Sequence, residues 1–490
     1  MLKPISAGRD EAPARSTDRA LSVRWALTSL SLSMLLPSLG TSSANVGLPA
    51  LAQAFAASFQ AVQWIVLAYL LAITTLIVSA GRLGDITGRR RLLLTGIALF
   101  TLASGLSGIA PTLWLLIAAR AAQGLGAAIM MALTIAFVGE TVPKEKTGSA
   151  MGLLGTMSAI GTALGPSLGG VLIAGLGWQA IFLINVPLGI LTFLLAYRYL
   201  PVDRRVLKTG PKTDRASFDN VGTLLLALTL AAYALAMTIG RGSFGPPNVA
   251  LLLAAVFGLG LFVLAEGRAA SPLIRLAMFR DPVLSASLAM STLVSTVIMA
   301  TLVVGPFYLS RALGLDAALV GLVLSAGPVV VALTGVPAGR IADRVGAQRM
   351  TVVGLVGMAA GSFILATMPS ALGIPGYTAP IVVIAAGYAL FQTANNTAIM
   401  TDISPDQRGV MSGMLNLSRN LGLITGASVM GAVFALASAT TDITTAEPEA
   451  VATGMRITFA VAGVLIVVAL ALAFGSRALA TRPSFAGDVP

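Results

Sequence analysis

Gly81-Arg82-Leu83-Gly84-Asp85-Ile86-Thr87-Gly88-Arg89-Arg90-Arg91 returns 258 residues later as Gly339-Arg340-Ile341-Ala342-Asp343-Arg344-Val345-Gly346-Ala347-Gln348-Arg349, with Gly, Arg, Asp, Gly and Arg in register. Each copy joins two apolar stretches of about 20 residues, the length that crosses a bilayer as a helix. A second echo has nearly the same offset: Glu140 and Pro143 close one apolar stretch, and Asp402 and Pro405 close another 262 residues later. Matching polar loops on one side of a membrane imply two parallel halves related by an axis along the membrane normal. The loop chemistry has a use beyond topology, since Gly permits a tight turn and Asp accepts from a helix N-terminus or an Arg. Gly81, Arg82, Asp85, Gly88, Arg89, Arg340 and Asp343 are therefore expected to latch the two halves on that side.

Outward from the repeat, the chain offers fourteen apolar stretches, near residues 25–50, 60–80, 91–109, 112–139, 149–174, 178–200, 219–240, 247–267, 283–310, 317–338, 350–369, 377–401, 408–437 and 452–476. The expected fold is an all-α membrane protein of two six-helix bundles, 25–200 and 268–476, with an inserted two-helix hairpin at 219–267 and a polar linker at 201–218. Residues 1–24 and 477–490 are expected to be tails, the first of them disordered; the first apolar run is too long for a signal-peptide core. Lys and Arg gather in every second loop: Arg82 and Arg89 to Arg91, Lys144 and Lys146, Arg204 to Arg215, then Arg340 to Arg349. The opposite loops hold Arg241, Arg311 and Arg456, so the positive-inside rule places both termini in the cytoplasm of a cell whose inner membrane the chain spans.

Composition narrows the chemistry. Of 490 residues 56% are hydrophobic and 10% charged, against about 25% charged in a soluble domain. With no Cys and no His, disulfides, thiolate nucleophiles and the commonest metal ligand are excluded. The net charge of +12 lies in short runs between apolar stretches and not along one face, which argues against nucleic acid. There is no Gly-x-x-x-x-Gly-Lys-Ser/Thr phosphate loop, no metal-ligand cluster and no catalytic constellation, so no cofactor, no metal and no enzymatic activity are expected. Ion gradients remain as the energy source. A membrane enzyme or receptor would need a polar site or a large domain outside the bilayer, and a channel suits the two-halved repeat less well than alternating access does.

Several residues inside the apolar stretches carry the functional expectation. Arg120, in Arg120-Ala-Ala-Gln123-Gly124, sits within the fourth stretch, where an Arg costs about 2.5–3.5 kcal/mol on insertion scales and marks a functional position by default. Arg419 and Asn420 offer a second such place in the thirteenth. Thr41, Ser42 and Asn45 in the first stretch, and Gln392, Asn395 and Asn396 in the twelfth, are expected to face a central cavity with Arg120 and Gln123, along a path for substrate and protons. Gly161, Gly165 and Gly169 fall on one helix face with Pro166 bending the helix beside them, an arrangement suited to a close-packed seal between the halves. Trp64, Tyr69, Phe307 and Tyr308 could give apolar or stacking surface, but each is more often packing or an interface anchor.

These residues resemble the 14-helix drug:proton antiporter branch of the major facilitator superfamily, from about Trp25 to the end of the last stretch. The loop at Gly81 to Arg91 is similar to that superfamily's signature loop, Arg120 to Gly124 to its fourth-helix motif, and Gly161 to Gly170 to its antiporter motif. The resemblance implies alternating access, efflux of amphipathic compounds in exchange for protons, and a role for Arg120 in proton transfer. The partners implied are a small-molecule substrate, protons and the lipid bilayer, with a monomer as the working unit. The chain departs from the branch in the first stretch, where Leu39-Gly40-Thr41-Ser42-Ser43-Ala44-Asn45 has Gly40 in place of the usual Asp. No other acid lies in the middle third of any stretch, which favours anionic or neutral substrates over cations. A specific metabolite carrier, importing or exporting without the usual carboxylate, is the alternative.

Overall fold

Backbone amides that cross a bilayer must close their hydrogen bonds inside their own segment, and among the described residues the chain forms helices and turns without a strand. The computed structural model describes residues 12–141, 147–201, 219–239, 245–269, 272, 276–401, 408–438 and 446–480. The N-terminal half comprises α1 (Ala12–Ala54), α2 (Phe59–Thr87), α3 (Arg89–Gly108), α4 (Leu113–Thr141), α5 (Thr147–Leu176) and α6 (Ala180–Tyr199). The hairpin is α7 (Asn220–Thr238) and α8 (Pro246–Arg268). The C-terminal half comprises α9 (Pro282–Ala312), α10 (Ala317–Val345), α11 (Ala347–Thr367), α12 (Gly373–Thr401), α13 (Arg408–Thr425, continued through Gly426–Met430 and Gly431–Ala437) and α14 (Pro448–Ala480).

Thirteen of these stretches are long and apolar enough to cross a membrane. The remaining one, α1, is the longest at 43 residues, and its apolarity is diluted by Ser29, Ser33, Ser42, Ser43 and Asn45. Those side chains are buried inside the bundle beside fully buried Leu30, Leu36 and Leu48, so their hydroxyls meet protein and not lipid. Most return a hydrogen bond to their own helix, as Ser33 Oγ does to Ser29 O at 2.9 Å.

Two expectations are corrected here. The tail expected to be disordered to residue 24 is helical from Ala12; Pro13 sits in the first turn, where a missing N–H costs nothing, and no breaker follows until Pro37. The repeated polar segment is not a loop. It is the last turns of α2 and of α10, each ended by one glycine at positive φ, Gly88 at 98° and Gly346 at 91°, after which α3 and α11 begin at once. The same backbone event therefore recurs at the same 258-residue offset. The linker 202–218 and the Glu140/Pro143 and Asp402/Pro405 echo lie wholly or partly outside the described residues.

The halves meet at one end of the bundle. Phe59, at the start of α2, packs edge-on against Phe307 and Phe434 from α9 and α13, with centroids 4.8 and 5.6 Å apart. Gln63 Nε2 donates across to Ala427 O at 2.9 Å. That carbonyl lies in the π-helical turn Gly426–Met430, where the widened register frees a backbone acceptor for a partner outside the helix. This sealed end is opposite the one formed by Gly88 and Gly346, the turn end, where Ala12 and Ala480 also lie because α1 runs into α2, and α13 into α14, at the sealed end. The hairpin spans both halves: Trp64 Nε1 of α2 donates to Thr238 Oγ1 of α7 at 3.0 Å, Ser79 and Thr223 hydroxyls lie 3.2 Å apart, and Tyr233 OH donates to Thr425 Oγ1 of α13 at 3.2 Å. Its second helix turns Leu253, Val256 and Phe257 outward to the bilayer.

Candidate functional site

A cavity of about 320 Å³ lies between the halves, walled by α1, α2, α4 and α5 on one side and by α9, α10, α12 and α13 on the other. Thr41, Ser42, Gln392, Arg419 and Asn420 line it as expected from the sequence. Its greasy surface comes from residues such as Leu70, Ile73, Ile298, Met299 and Leu302, with Tyr388 from α12. Helical spacing explains the choice on α12, since Ile381, Ala385, Tyr388 and Gln392 recur every three or four residues on one face.

The two walls differ in what they have left to offer. On the N-terminal wall Ser38 and Ser158 hydroxyls bond one another at 2.7 Å, Thr41 and Thr162 return bonds to Pro37 O and Ser158 O, and Ser42 donates to Gly161 O at 3.1 Å. These groups are satisfied within the wall. On the C-terminal wall Gln392, Arg419 and Asn420 have no hydrogen bond or ion pair with other described residues. Arg419 is the one charged side chain among the described residues that line the cavity.

Arg120 is elsewhere. It is fully buried and does not line the cavity. Its guanidinium lies 4.1 Å from the centroid of Tyr69 and 5.8 Å from that of Phe182, so it is held between α2, α4 and α6. Nε donates to Ile65 O at 3.0 Å, Nη1 donates to Gln123 Oε1, and Gln123 Nε2 donates to Ser104 Oγ at 2.7 Å, while Nη2 has no partner among the described residues. Tyr69 OH donates to Pro37 O at 2.9 Å, and Pro37 is on the cavity wall, so the cation stands one layer behind it. Gly40 faces the same layer: a Cβ there would meet the Phe100 ring at 3.5 Å and Gln123 Nε2 at 3.7 Å. A carboxylate at position 40 would thus enter the Arg120 network and not the open cavity.

Asn45 and Asn395 are also buried away from the cavity, the first donating to Thr41 O and the second to Ser287 O at 3.5 Å. Asn396 lies on α12 one turn beyond Gln392 and outside the lining. Trp64, Tyr69, Phe307 and Tyr308 serve packing, as their hydrogen-bond and ring partners indicate. The hydroxyls of Ser38, Ser158 and Thr162, and Tyr388 itself, were not singled out from sequence. Serines and tyrosines in helices occur too widely to mark a wall, and only the fold brings these together.

The helix-5 glycines require a correction. Gly161, Gly165 and Gly169 face α1 of the same half, since a Cβ at Gly161 would lie 2.5 Å from Leu35 O and one at Gly165 would collide with Ser42 Oγ. The close approach between halves is made one residue further round the helix. A Cβ at Gly170 would fall 2.4 Å from Ala317 O, and a Cβ at Gly321 would fall 2.3 Å from Pro166 O, so α5 and α10 cross almost backbone to backbone at the sealed end. At the turn end Gly81 and Gly88 are described, but the side chains of Arg82, Asp85, Arg340 and Asp343 lie outside the described residues. Arg90 donates to Tyr197 O and covers the Tyr197 ring, 5.4 Å from its centroid, which ties it to α6 of its own half.

Comparison with known proteins fits this architecture. The chain is 32% identical over 397 residues, 80% of its length and 72% of the relative's, to the multidrug resistance protein Stp of Mycobacterium tuberculosis. It is 30% identical over 420 residues, 84% of its length and 88% of the relative's, to the riboflavin transporter RibZ of Clostridioides difficile. The fold matches a bacterial homologue of the human lysosomal transporter Spinster, solved in an inward-facing, unoccupied conformation, with a TM-score of 0.69 at 16% identity over 94% of this chain and 99% of that one. The family model of the Major Facilitator Superfamily matches residues 30–427 and again 290–487, and the chain is a multi-pass membrane transporter belonging to that superfamily.

Proposed function

We propose that the protein is a secondary active exporter that carries small organic molecules out of the cell in exchange for protons, with the cavity between its halves as the transport site. One observation carries the reading: a largely apolar cavity of about 320 Å³ at the interface of two related halves that are sealed against each other at one end. A volume of that order suits a drug-sized ligand or a smaller metabolite. Rocking the halves would break the Gly170–Gly321 crossing and the Gln63–Ala427 bond while closing the turn end, exposing the same residues to the other side. The multidrug resistance relative supports export of diverse compounds. The riboflavin transporter relative supports the alternative of a specific metabolite.

The membrane is the cell inner membrane and the turn end is cytoplasmic. Arg89, Arg90, Arg91, Arg344 and Arg349 cluster there, against Arg311 and Arg456 at the sealed end, which is the bias that orients membrane proteins. The working unit is the monomer, because a single chain completes the cavity. Residues 25–200 and 268–476 are the moving bodies, with the hairpin at 219–267 strapped across α2 and α13. Cells expressing the protein should accumulate less of at least one compound in a panel of cationic, neutral and anionic fluorescent molecules, and a protonophore should abolish the difference. Reduced accumulation that persists with protonophore would remove proton coupling, and raised accumulation would make the protein an importer.

A further inference from the structure

We infer that the substrates are amphipathic monoanions whose acidic group is bound by Arg419, Asn420 and Gln392 on the C-terminal wall, while the apolar body lies against the N-terminal wall. This rests on the transport reading of the same cavity and names the class of molecule that fits it. The two walls differ in the hydrogen bonds they have left to give. Buried or half-buried polar groups are normally satisfied, and those of the N-terminal wall are: Ser38, Ser42, Ser158 and Thr162 spend their hydrogen bonds on one another and on helix carbonyls. Among the described residues Gln392, Arg419 and Asn420 hold theirs unspent, and they line one volume.

The unspent groups are suited to an anion. A guanidinium supplies only donors in a planar fork that matches a carboxylate or sulfonate, and a carboxamide lining the same cavity can supply an N–H to the remaining oxygen lone pairs. No acid is among the described lining residues to neutralise Arg419. An organic cation would therefore meet an unscreened like charge at close range, and a neutral ligand would leave the guanidinium unpaired as the halves close and exclude water. A single cation calls for a single negative charge. The rest of the described lining, with Leu70, Ile73, Met299, Leu302 and Tyr388, is largely apolar and holds no second charged side chain. Arg120 takes no part, because it stands behind the wall with its own partners.

The test uses the full-length protein in lipid nanodiscs and three probes with one ring system: 2-naphthoate, 2-naphthamide and 2-naphthylmethylammonium. Titration calorimetry should show naphthoate binding at least tenfold more tightly than naphthamide, with the ammonium weakest. Arg419→Gln should erase that ratio chiefly by weakening naphthoate, Arg419→Lys should restore part of it, and Arg120→Lys should leave the ratio unchanged. Equal or tighter binding of naphthamide or the ammonium, no binding of naphthoate, or a ratio that survives Arg419→Gln would overturn the proposal. Protonophore-sensitive export of neutral compounds with no anion preference would sink this inference and leave the exporter reading intact. Naphthoate-selective binding without proton exchange would do the reverse.

Discussion

A membrane-buried Arg is costly wherever it sits, and the two arginines answer that cost differently. Arg120 is held by Ile65 O, Gln123 and the Tyr69 face with no carboxylate nearby among the described residues. Arg120→Lys keeps the charge but loses the planar stack and the fork of donors, and should cost about 2 kcal/mol, read as a lower thermal midpoint in detergent; an unchanged midpoint would show that the stack contributes nothing. Gly40 is the natural place for a counterion. Gly40→Asp should raise the midpoint in the wild-type background and lower it alongside Arg120→Gln, a coupling of about 1–3 kcal/mol in a double-mutant cycle; additive effects would show that position 40 does not address Arg120. The sequence made both arginines visible because charges are rare in apolar runs. It did not separate the wall residue from the buried clamp, since that depends on Tyr69, 51 positions away on another helix, and on which face of α4 turns from the cavity.

At the scale of the elements, glycine decides where helices stop and how near they come. Gly88 and Gly346 hold φ at 98° and 91°, which an L-residue adopts only under strain. Ala at either position should cost about 1–3 kcal/mol, and the two should add because they lie in separate halves; thermal denaturation of the single and double variants measures both points. Gly321→Ala drives a methyl group to 2.3 Å from Pro166 O, so α5 and α10 must separate. That variant should lose transport roughly tenfold, about 1.4 kcal/mol against the sealed state, while expression is unchanged; normal transport would mean that the crossing is not a seal. The repeated segment was readable as a turn from its Gly and Asp content, yet helix continues to Thr87 and Val345 because a single glycine suffices to reverse the chain. The glycines of α5 were legible as a packing face, whereas their partner was not: Gly161, Gly165 and Gly169 face α1, and Gly170 makes the contact with the other half.

For the whole molecule, length, hydropathy and the 258-residue echo were enough to give fourteen spans, two halves and an inserted pair, because the bilayer enforces helices of one length and the repeat enforces symmetry. α1 was legible despite its polar content since its Ser and Thr are interspersed with Leu in an uncharged run. The cavity was half legible. Arg419, Asn420, Gln392, Thr41 and Ser42 were found by polarity, while Asn45, Asn395 and Gln123, as polar as they are, turn into helix contacts. Alternating access requires that this cavity be reached from one side at a time, and the absence of any Cys in the chain gives a direct way to test it. A cysteine replacing Ser158 on the cavity wall would be probed with a membrane-impermeant maleimide in right-side-out and inverted vesicles, with and without Gln63→Ala to weaken the sealed end. Labelling should be rapid from the turn end and slow from the sealed end, with a severalfold rise in the latter with Gln63→Ala. Equal labelling from both sides in the parent would contradict it and point to a continuous pore.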